Sequence, residues 1–362
     1  MTKEDAVTAL YITSIERHTG KDLLTMGLMN RMMKDGLKVG YFKPVGHFPA
    51  KVGNTVVDNR ALLIHRYFGL EDPVELTCPV VVTQDLVMQN YKETVTGLRE
   101  KVTEAFEEVS DQKDLVIVSC DNNFSDGSSF NLSSRRLINL LNARGLFVER
   151  YECDFCVDLL IELKEIIGEP MMGVVFNKVK PVHFEEIEEF IAPFLMSKGI
   201  SVFGSLLTDP LLESIEAREL AEHLGADVVC GRGQLDALLE TFLVGGMGVD
   251  KFVGYLLSRK GAGVIVGGDR SDIQMAAIEN KARCLILSGG MYPNDIIIGR
   301  AEEKGMPILV ARDDTYTVAK NVEGMVGTFS LADSRKIDHG LDLVEQKFDF
   351  LHLYRQLGLD MG

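Results

Sequence analysis

The strongest constraint on the fold is a regular alternation of short apolar runs with segments of helical length. The runs carry few charges, which is typical of strands that are buried on both faces of a parallel sheet. The segments between them are long enough for helices that cross from one strand to the next. The sequence therefore predicts an α/β fold in which helices cover both faces of a parallel sheet. The predicted strands are Ala9–Thr13, Val39–Phe42, Val80–Thr83, Leu115–Cys120, Gly145–Tyr151, Met172–Phe176 and Ser201–Ser205.

The length of the chain allows more than one domain. At 362 residues it exceeds the usual size of a single compact domain. We predict a larger α/β domain over residues 1–210, a smaller α/β domain over residues 211–332 and a helical tail over residues 333–362. The second domain opens with one predicted helix, Leu211–Leu224, which Gly225 ends. We expect the tail to serve packing or oligomerisation, and the chain to form a homo-oligomer.

Composition limits the partners that the chain can have. Lys and Arg number 38 against 54 Asp and Glu, which gives a formal net charge of -16. Basic residues do not cluster, so nucleic acid and anionic membranes are poor partners. No apolar run approaches the roughly 18 residues of a membrane span, and the N-terminus lacks the features of a signal peptide. We therefore expect a cytoplasmic location.

The loop after the first predicted strand reads S-I-E-R-H-T-G-K-D, from Ser14 to Asp22, and a helical pattern follows it. In the full pattern, G-x-x-x-x-G-K-[ST], backbone N–H groups wrap phosphates, the lysine reaches their oxygens and the hydroxyl holds Mg²⁺. Here Gly20 and Lys21 are in place, whereas we assign Ser14 to the first glycine and Asp22 to the hydroxyl residue. This loop predicts nucleotide binding with weak or absent hydrolysis. The other interpretation is a tight turn followed by a solvated lysine.

Further candidates follow other predicted strands. Lys43, in the turn F-K-P-V-G, and Asp121 would both lie at the carboxyl edge of the sheet, where α/β proteins bind ligands. We predict that Asp121 and Asp22 hold Mg²⁺, since carboxylates are ligands that this cation accepts. The polar segment 124–133 suits a substrate loop, and Asn177 could contact a nucleobase. Each of these residues could instead be an ordinary polar group of a turn.

Three predicted strand ends in the second domain carry small or polar groups. Backbone N–H groups at such turns, and at the helices that follow, favour anions. We therefore predict a pocket for a small anionic ligand, or a subunit interface, although turn chemistry alone explains the same residues. The residues are Asp269, Arg270, Ser288, Gly289, Asp314 and Thr315.

Six cysteines occur, and the pair Cys153 and Cys156 has the C-x-x-C spacing of some metal and redox sites. A structural zinc site needs a second pair or histidines at a matching distance, and the sequence offers neither. We favour buried free thiols over a redox pair.

Taken together, these motifs resemble two families. The first ~210 positions resemble the P-loop domain of dethiobiotin synthetase, cobyrinic acid a,c-diamide synthase and the N-terminal part of long phosphate acetyltransferases. The resemblance is carried by the loop above, Y-F-K-P-V-G at 41–46, F-N-K-V at 176–179 and V-F-G-S-L-L-T-D at 202–209. The second domain resembles the DRTGG domain that follows it in those acetyltransferases. Its motifs are V-G-G-M-G-V at 244–249, G-G-D-R-S-D-I-Q-M-A-A-I at 267–278, L-I-L-S-G-G at 285–290 and D-D-T-Y-T-V-A at 313–319.

The resemblance implies a P-loop NTPase-like sheet, then a DRTGG-like α/β domain and a C-terminal helix. It implies ATP and Mg²⁺ as cofactors, with Lys43 facing phosphate or substrate and Asn177 near the base. The residues that it places at the phosphates are Ser14, Glu16, Thr19, Gly20, Lys21 and Asp22.

The same resemblance leaves three functions open. No acetyltransferase domain is recognisable in these residues, so acyl transfer is not expected. We predict a regulatory or sensor protein that binds a nucleotide or a small anionic metabolite. The alternative is an ATP-dependent ligase of the dethiobiotin synthetase or cobyrinic acid a,c-diamide synthase type, which activates a carboxylate. The third function is a purely structural module that binds no nucleotide.

Overall fold

The computed structural model describes residues 7–325 and 333–359. These residues form two compact units. The first contains residues 7–208 and 333–359, and the second contains residues 209–325. The chain therefore leaves the first unit, builds the second and then returns to the first.

The first unit is built on a six-stranded parallel sheet of order β10-β9-β8-β1-β7-β2. Its central strands are apolar and buried, as the sequence predicts. Strands β3 to β6 of this unit lie outside the six-stranded sheet, where β3 pairs with β6 and β4 with β5. The strands of the unit are β1 (Thr8–Thr13), β2 (Val39–Phe42), β3 (Val45–Gly46), β4 (Pro49–Val52), β5 (Thr55–Asp58), β6 (Val80–Val81), β7 (Leu115–Ser119), β8 (Arg144–Arg150), β9 (Met171–Val179) and β10 (Ser201–Leu207).

Helices and apolar clusters cover the two faces of this sheet. This is the predicted fold class, and it is confirmed. A π-helical segment, Ile187–Ile191, joins α8 to α9, and a short 3₁₀ turn spans Ser128–Phe130. The helices are α1 (Lys21–Lys34), α2 (Asn59–Phe68), α3 (Val74–Thr77), α4 (Gln84–Lys92), α5 (Leu98–Ser110), α6 (Ser134–Leu140), α7 (Phe155–Ile167), α8 (Pro181–Glu186) and α9 (Ala192–Ser197).

Two local predictions in this unit were wrong. The predicted strand Val80–Thr83 is not part of the main sheet, because only Val80–Val81 pairs, and it pairs with β3. The sequence also predicts a helix over Glu93–Val109, which has helical length. The helix begins later, at Leu98, because Gly97 before it has a left-handed backbone with a φ of +79°.

The second unit contains a five-stranded sheet of order β12-β17-β16-β15-β14, in which β12 alone runs antiparallel to its neighbour. Its strands are β11 (Ile215–Glu216), β12 (Asp227–Cys230), β13 (Leu238–Leu239), β14 (Thr241–Val244), β15 (Ala262–Gly267), β16 (Cys284–Ser288) and β17 (Ile308–Val310). Its helices are α10 (Pro210–Glu213), α11 (Ala217–His223), α12 (Val249–Leu257), α13 (Ser271–Glu279), α14 (Asp295–Lys304) and α15 (Thr315–Met325), with a 3₁₀ turn at Arg232–Gln234.

The single helix predicted over Leu211–Leu224 was wrong. The chain forms α10 and α11 instead, because β11 between them pairs with β13. Ile215 is buried in this pairing, so tertiary contacts override the helical pattern.

The C-terminal segment of the first unit forms two helices, α16 (Ser334–Lys347) and α17 (Phe350–Leu357), which pack against the rest of that unit. The backbone turns between them, where Asp349 donates its N–H to the Phe203 carbonyl of β10 at 2.7 Å. Helix α16 lies against α1, and a Cβ atom at Gly27 would be 2.6 Å from Val344. Helix α16 therefore packs closely against α1, the helix that starts at Lys21. In the described part of the chain, no helix combines the length and apolarity that crossing a membrane requires.

Candidate functional site

The candidate loop joins β1 to α1 at the carboxyl edge of the first sheet. Gly20, just before the helix, has a left-handed backbone with a φ of +91°. A Cβ atom at this position would lie 2.2 Å from Nδ2 of Asn177. Both the conformation and the space therefore require glycine.

The spacing of the loop corrects one assignment made from the sequence. Five residues separate Ser14 from Gly20, one more than the four of the full pattern. Counted back from Lys21, the first position of the strict pattern is Ile15. Ser14 is instead the residue that follows β1, and its buried hydroxyl donates a hydrogen bond to the Glu16 carbonyl.

Lys21 lies across the base of the loop. Its side chain is buried, and Nζ donates to Ser14 Oγ at 2.7 Å and to the Asn122 carbonyl at 2.8 Å. Neither partner carries a charge, so these contacts do not neutralise the ammonium group beside the loop. An anion that entered the loop would meet this ammonium group.

The backbone of the loop provides donors for an anion. In the part of the chain that the structure describes, the N–H groups of residues 17–22 have no acceptor within the protein. Thr19 is fully buried, and its hydroxyl also lacks a hydrogen-bond partner. A buried polar group such as this hydroxyl is normally hydrogen-bonded, whereas Arg17 and His18 are exposed and their N–H groups are open to solvent. Together these donors fit a ligand with several acceptor oxygens.

Cations surround the same loop, although the chain as a whole is acidic. Partial burial lowers the pKa of His18, and the nearby charges of Arg60, Lys178, Lys21 and Arg17 lower it further. The two carboxylates of the loop are both paired with arginines. Asp22 contacts Arg60 at 3.0 Å, and Glu16 contacts Arg150 at 3.0 Å. The local potential is therefore positive.

Asn177 and its neighbour Lys178 brace the loop from β9. Asn177 Nδ2 donates to the Thr19 carbonyl at 2.8 Å, and Lys178 Nζ donates to the His18 carbonyl at 3.0 Å. These contacts place Asn177 beside the predicted phosphate residues. Its predicted role at a nucleobase stays a prediction.

Lys43 lies in a buried ionic network. Its ammonium group contacts Asp58 at 2.9 Å and also Asp121, and all three side chains are almost fully buried. Burial alone would raise the pKa of Asp121, but the hydrogen bond from His47 and the charge of Lys43 outweigh it and lower the pKa to about 2. In this structure the ammonium group of Lys43 therefore forms ion pairs with two carboxylates, and its predicted role at phosphate or substrate stays a prediction.

The two predicted metal ligands have separate cationic partners. Asp22 pairs with Arg60, whereas Asp121 pairs with Lys43 and accepts the His47 backbone N–H at 2.7 Å. Among residues 7–325 and 333–359, no three Asp, Glu, His or Cys side chains come together as ligands for a metal. The role of these two carboxylates in Mg²⁺ binding stays a prediction.

One further group, Glu149, was missed by the sequence reasoning. It lies near the end of β8, and its carboxylate accepts the backbone N–H groups of Ile15 and Glu16. The signal in the sequence was a carboxylate that follows four apolar or small residues in the strand run G-L-F-V-E-R-Y. Such a buried charge is rare without a functional or pairing reason.

In the second unit, the predicted residues lie at the ends of β15, β16 and β17 and contact their own neighbours. Ser288 Oγ lies 2.6 Å from Thr315 Oγ1, and Asp314 accepts the Tyr316 N–H as a helix cap. The Gly289 N–H is bound to the Asp313 carbonyl at 2.7 Å.

The remaining predicted groups of this unit lie in the loop between β15 and α13. Arg270 pairs with Asp272 at 2.9 Å, and Asp269 is exposed. The buried Gln274, which the sequence reasoning missed, donates to the carbonyls of Gly267 and Gly268. These hydrogen bonds and this ion pair hold the edge of the sheet in place. Whether the edge binds a ligand or forms a subunit interface stays a prediction.

The C-x-x-C pair does not have the character of a reactive dithiol. Both thiols are free, as expected, but Cys153 is exposed and Cys156 is half-buried, so the expectation that both are buried was wrong. Burial raises the pKa of the Cys156 thiol to about 12, so it stays protonated at neutral pH.

A glycine substitution tests the geometry of the loop. We predict that Gly20→Ala lowers the free energy of unfolding by about 1–3 kcal/mol, because a left-handed non-glycine residue is strained and its Cβ meets Asn177. In an Asn177→Ala background the collision is gone, and the cost falls to about 1 kcal/mol. Urea unfolding of the four proteins measures both values. Equal costs in the two backgrounds would show that Asn177 does not press on Gly20.

A parallel sheet whose first strand runs into a glycine-lysine loop at the start of a helix defines a P-loop-type domain. The comparisons with known proteins agree. A family model described as "AAA domain" matches residues 8–217, more than half of the chain, and the chain belongs to that family. A DRTGG domain model matches residues 219–325. The resemblance to a P-loop domain followed by a DRTGG domain is confirmed.

Curated relatives share this arrangement at low identity. Phosphate acetyltransferase of Nitratidesulfovibrio vulgaris is 25% identical over 369 residues, which cover 96% of this chain and 51% of that protein. Phosphate acetyltransferase of Synechocystis is 22% identical, over 94% of this chain and 50% of that protein. The chain spans about half the length of these relatives. The protein YtoI of Bacillus subtilis is 30% identical over 108 residues, which is 30% of this chain and 24% of YtoI.

Solved structures resemble parts of the chain. The cell division ATPase MinD of Pyrococcus furiosus has a TM-score of 0.35 and 17% identity, over 57% of this chain and 85% of its own. The regulatory region of Clostridium perfringens pyrophosphatase, which contains CBS and DRTGG domains and was solved with diadenosine tetraphosphate, has a TM-score of 0.29. It is 19% identical over 38% of this chain and 64% of its own. At these TM-scores we base no inference on either.

Proposed function

We propose that the first unit binds the polyphosphate of a nucleotide such as ATP at residues 14–22, and that the chain is a regulatory or sensor protein. One observation carries the proposal: the free N–H groups of residues 17–22 lie beside Lys21, close to the cationic side chains of Arg17, Arg60 and Lys178. A polyphosphate supplies the negative charge and the acceptor oxygens that such a site lacks. Its partner would be a nucleotide or a similar small anionic metabolite.

Weak or absent hydrolysis is supported by the two carboxylates near the loop. The position that normally holds Mg²⁺ through a hydroxyl carries Asp22, which Arg60 already neutralises. The other predicted metal ligand, Asp121, is buried against Lys43. Each carboxylate would have to leave its cation before it could bind Mg²⁺, which raises the free energy of any metal-bound state. The nucleotide would therefore act as a bound signal and not as a substrate.

The second unit and the assembly complete this proposal. We propose that the DRTGG domain responds to a small anionic ligand or forms a subunit interface at the edge that contains Ser288 and Thr315. A ligand can shift an equilibrium between two arrangements if it binds one of them better. The cytoplasmic location and the homo-oligomer are part of the same proposal.

Calorimetric titration tests nucleotide binding and hydrolysis together. ATP, ADP and GTP are titrated with and without Mg²⁺, and phosphate release is followed in parallel. We predict binding without phosphate release, and a loss of about 10- to 100-fold in affinity in Lys21→Met, because a charge-assisted contact is removed. Lys34→Met, at the exposed far end of the same helix, is the control and should bind normally.

The same titration separates the other functions. Mg²⁺-dependent phosphate release that a carboxylic acid stimulates would favour the ligase of the dethiobiotin synthetase type. No binding under any condition would leave a structural module and contradict the proposal.

A further inference from the structure

Glu149 is a buried carboxylate at the base of the candidate loop. Its side chain is 2% exposed, and it accepts the N–H groups of Ile15 and Glu16. Burial raises the pKa of Glu149 to about 8, although these hydrogen bonds and the charge of Lys21 act in the opposite direction. Because the desolvation of the carboxylate outweighs the attraction, the residue can exchange a proton near neutral pH.

The groups that face Glu149 explain why its charge is not compensated. Lys21 approaches from α1, but its ammonium group donates to Ser14 and Asn122. Arg150, next to it on the strand, pairs with Glu16 and with Glu152. From the loop comes the charge of Glu16, and from α7 the Cys156 thiol, which stays neutral. In the described part of the chain, Glu149 therefore forms no ion pair.

A phosphate in the loop would place a second negative charge close to this carboxylate. Two like charges in a low-dielectric site repel each other strongly, and a carboxylate can remove the repulsion by taking up a proton. The amide contacts at Ile15 and Glu16 also fix the carboxylate beside the loop, so it cannot easily move away.

We propose that polyphosphate binding to the loop is coupled to the uptake of one proton from solvent by Glu149. This inference rests on the proposed function, since it concerns the same site. It makes Glu149 the residue that sets the pH dependence of nucleotide affinity. Bound anion favours the protonated form, and by linkage the protonated form favours the anion. Below about pH 8 Glu149 is mainly protonated already, so the linked uptake belongs to the range above pH 8.

The test is calorimetry with ATP at pH 9 in buffers that differ in their heat of ionisation. In the wild-type protein we expect proton uptake on binding, and an affinity that falls by up to about tenfold per pH unit above pH 8. In Glu149→Gln the uptake should disappear, and the affinity at pH 9 should exceed that of the wild type. At pH 6.5 the two proteins should bind equally. Glu152→Gln removes an exposed charge that lies outside the loop, just after β8, and should keep the proton uptake.

Glu149→Gln should fold, since its amide oxygen can still accept the Ile15 N–H. If it does not fold, the carbon-13 chemical shift of the Glu149 carboxyl, followed with and without ATP, replaces it. Binding without proton uptake in the wild type, or uptake that persists in Glu149→Gln, would overturn this inference and leave the proposed function intact. No binding of ATP to any of the proteins would overturn both.

Discussion

Replacing Lys43 with methionine is expected to lower the free energy of unfolding of the first unit by about 3–5 kcal/mol. Its ammonium group lies between Asp58 and Asp121, and all three side chains are buried. Without it, two buried carboxylates would lose the ammonium group that they share. Asp58 also caps α2 through the Ala61 N–H, so its displacement would weaken that helix as well.

Urea unfolding followed by circular dichroism measures this cost. The matched control is Lys34→Met, which removes the same charge from an exposed pair with Glu345 at 2.9 Å. Exposed pairs contribute roughly 0–1 kcal/mol, so the control should unfold almost like the wild type. If both variants lost the same small amount, Lys43 would not be holding a buried network, and its predicted role at the phosphates would gain weight.

Gly27→Ala is expected to lower the free energy of unfolding by about 1–3 kcal/mol, because the added methyl group would overpack the contact between α1 and α16. Its Cβ would lie 2.6 Å from both Cβ and Cγ1 of Val344, a branched side chain that cannot turn aside. The direction of this stability change distinguishes a packed helix position from an exposed one. In an exposed helix interior, alanine in place of glycine normally stabilises by about 0.5–1 kcal/mol.

Gly254→Ala supplies the control for this substitution. Gly254 lies within α12, and a Cβ atom there would have no neighbour within 4 Å. We expect this variant to become slightly more stable, while Gly27→Ala becomes less stable in the same urea titration. A gain in stability for Gly27→Ala would contradict the close packing of α16 on α1.

The α/β architecture could be predicted because its signal is local. Each buried strand is a short apolar run, and each turn carries glycine or polar residues. The break at Ser214 and Ile215 could not be predicted, because the pairing with Leu238–Leu239 that forms β11 comes from distant residues. The sequence of that segment by itself fits one helix.

For the candidate site, too, the sequence could predict the local motif but not the contacts between distant residues. Gly20 and Lys21 stand together in a recognisable motif, so the loop could be found from the sequence alone. The partners of Lys43 and of Asp22 come from other parts of the chain, and nothing near Lys43 indicates that Asp58 and Asp121 neutralise it. Glu149 was visible as a charge in an apolar run, but its contact with Ile15 depends on the order of the strands.

The most direct test of the central claim is hydrogen exchange of the peptide that covers residues 14–24, measured with and without ATP. The account predicts that ATP slows exchange there, because the free N–H groups of residues 17–22 become hydrogen-bonded to phosphate. Lys21→Met should remove this protection. Unchanged exchange in the loop at saturating ATP, or protection confined to residues 267–272 of the second unit, would contradict the account.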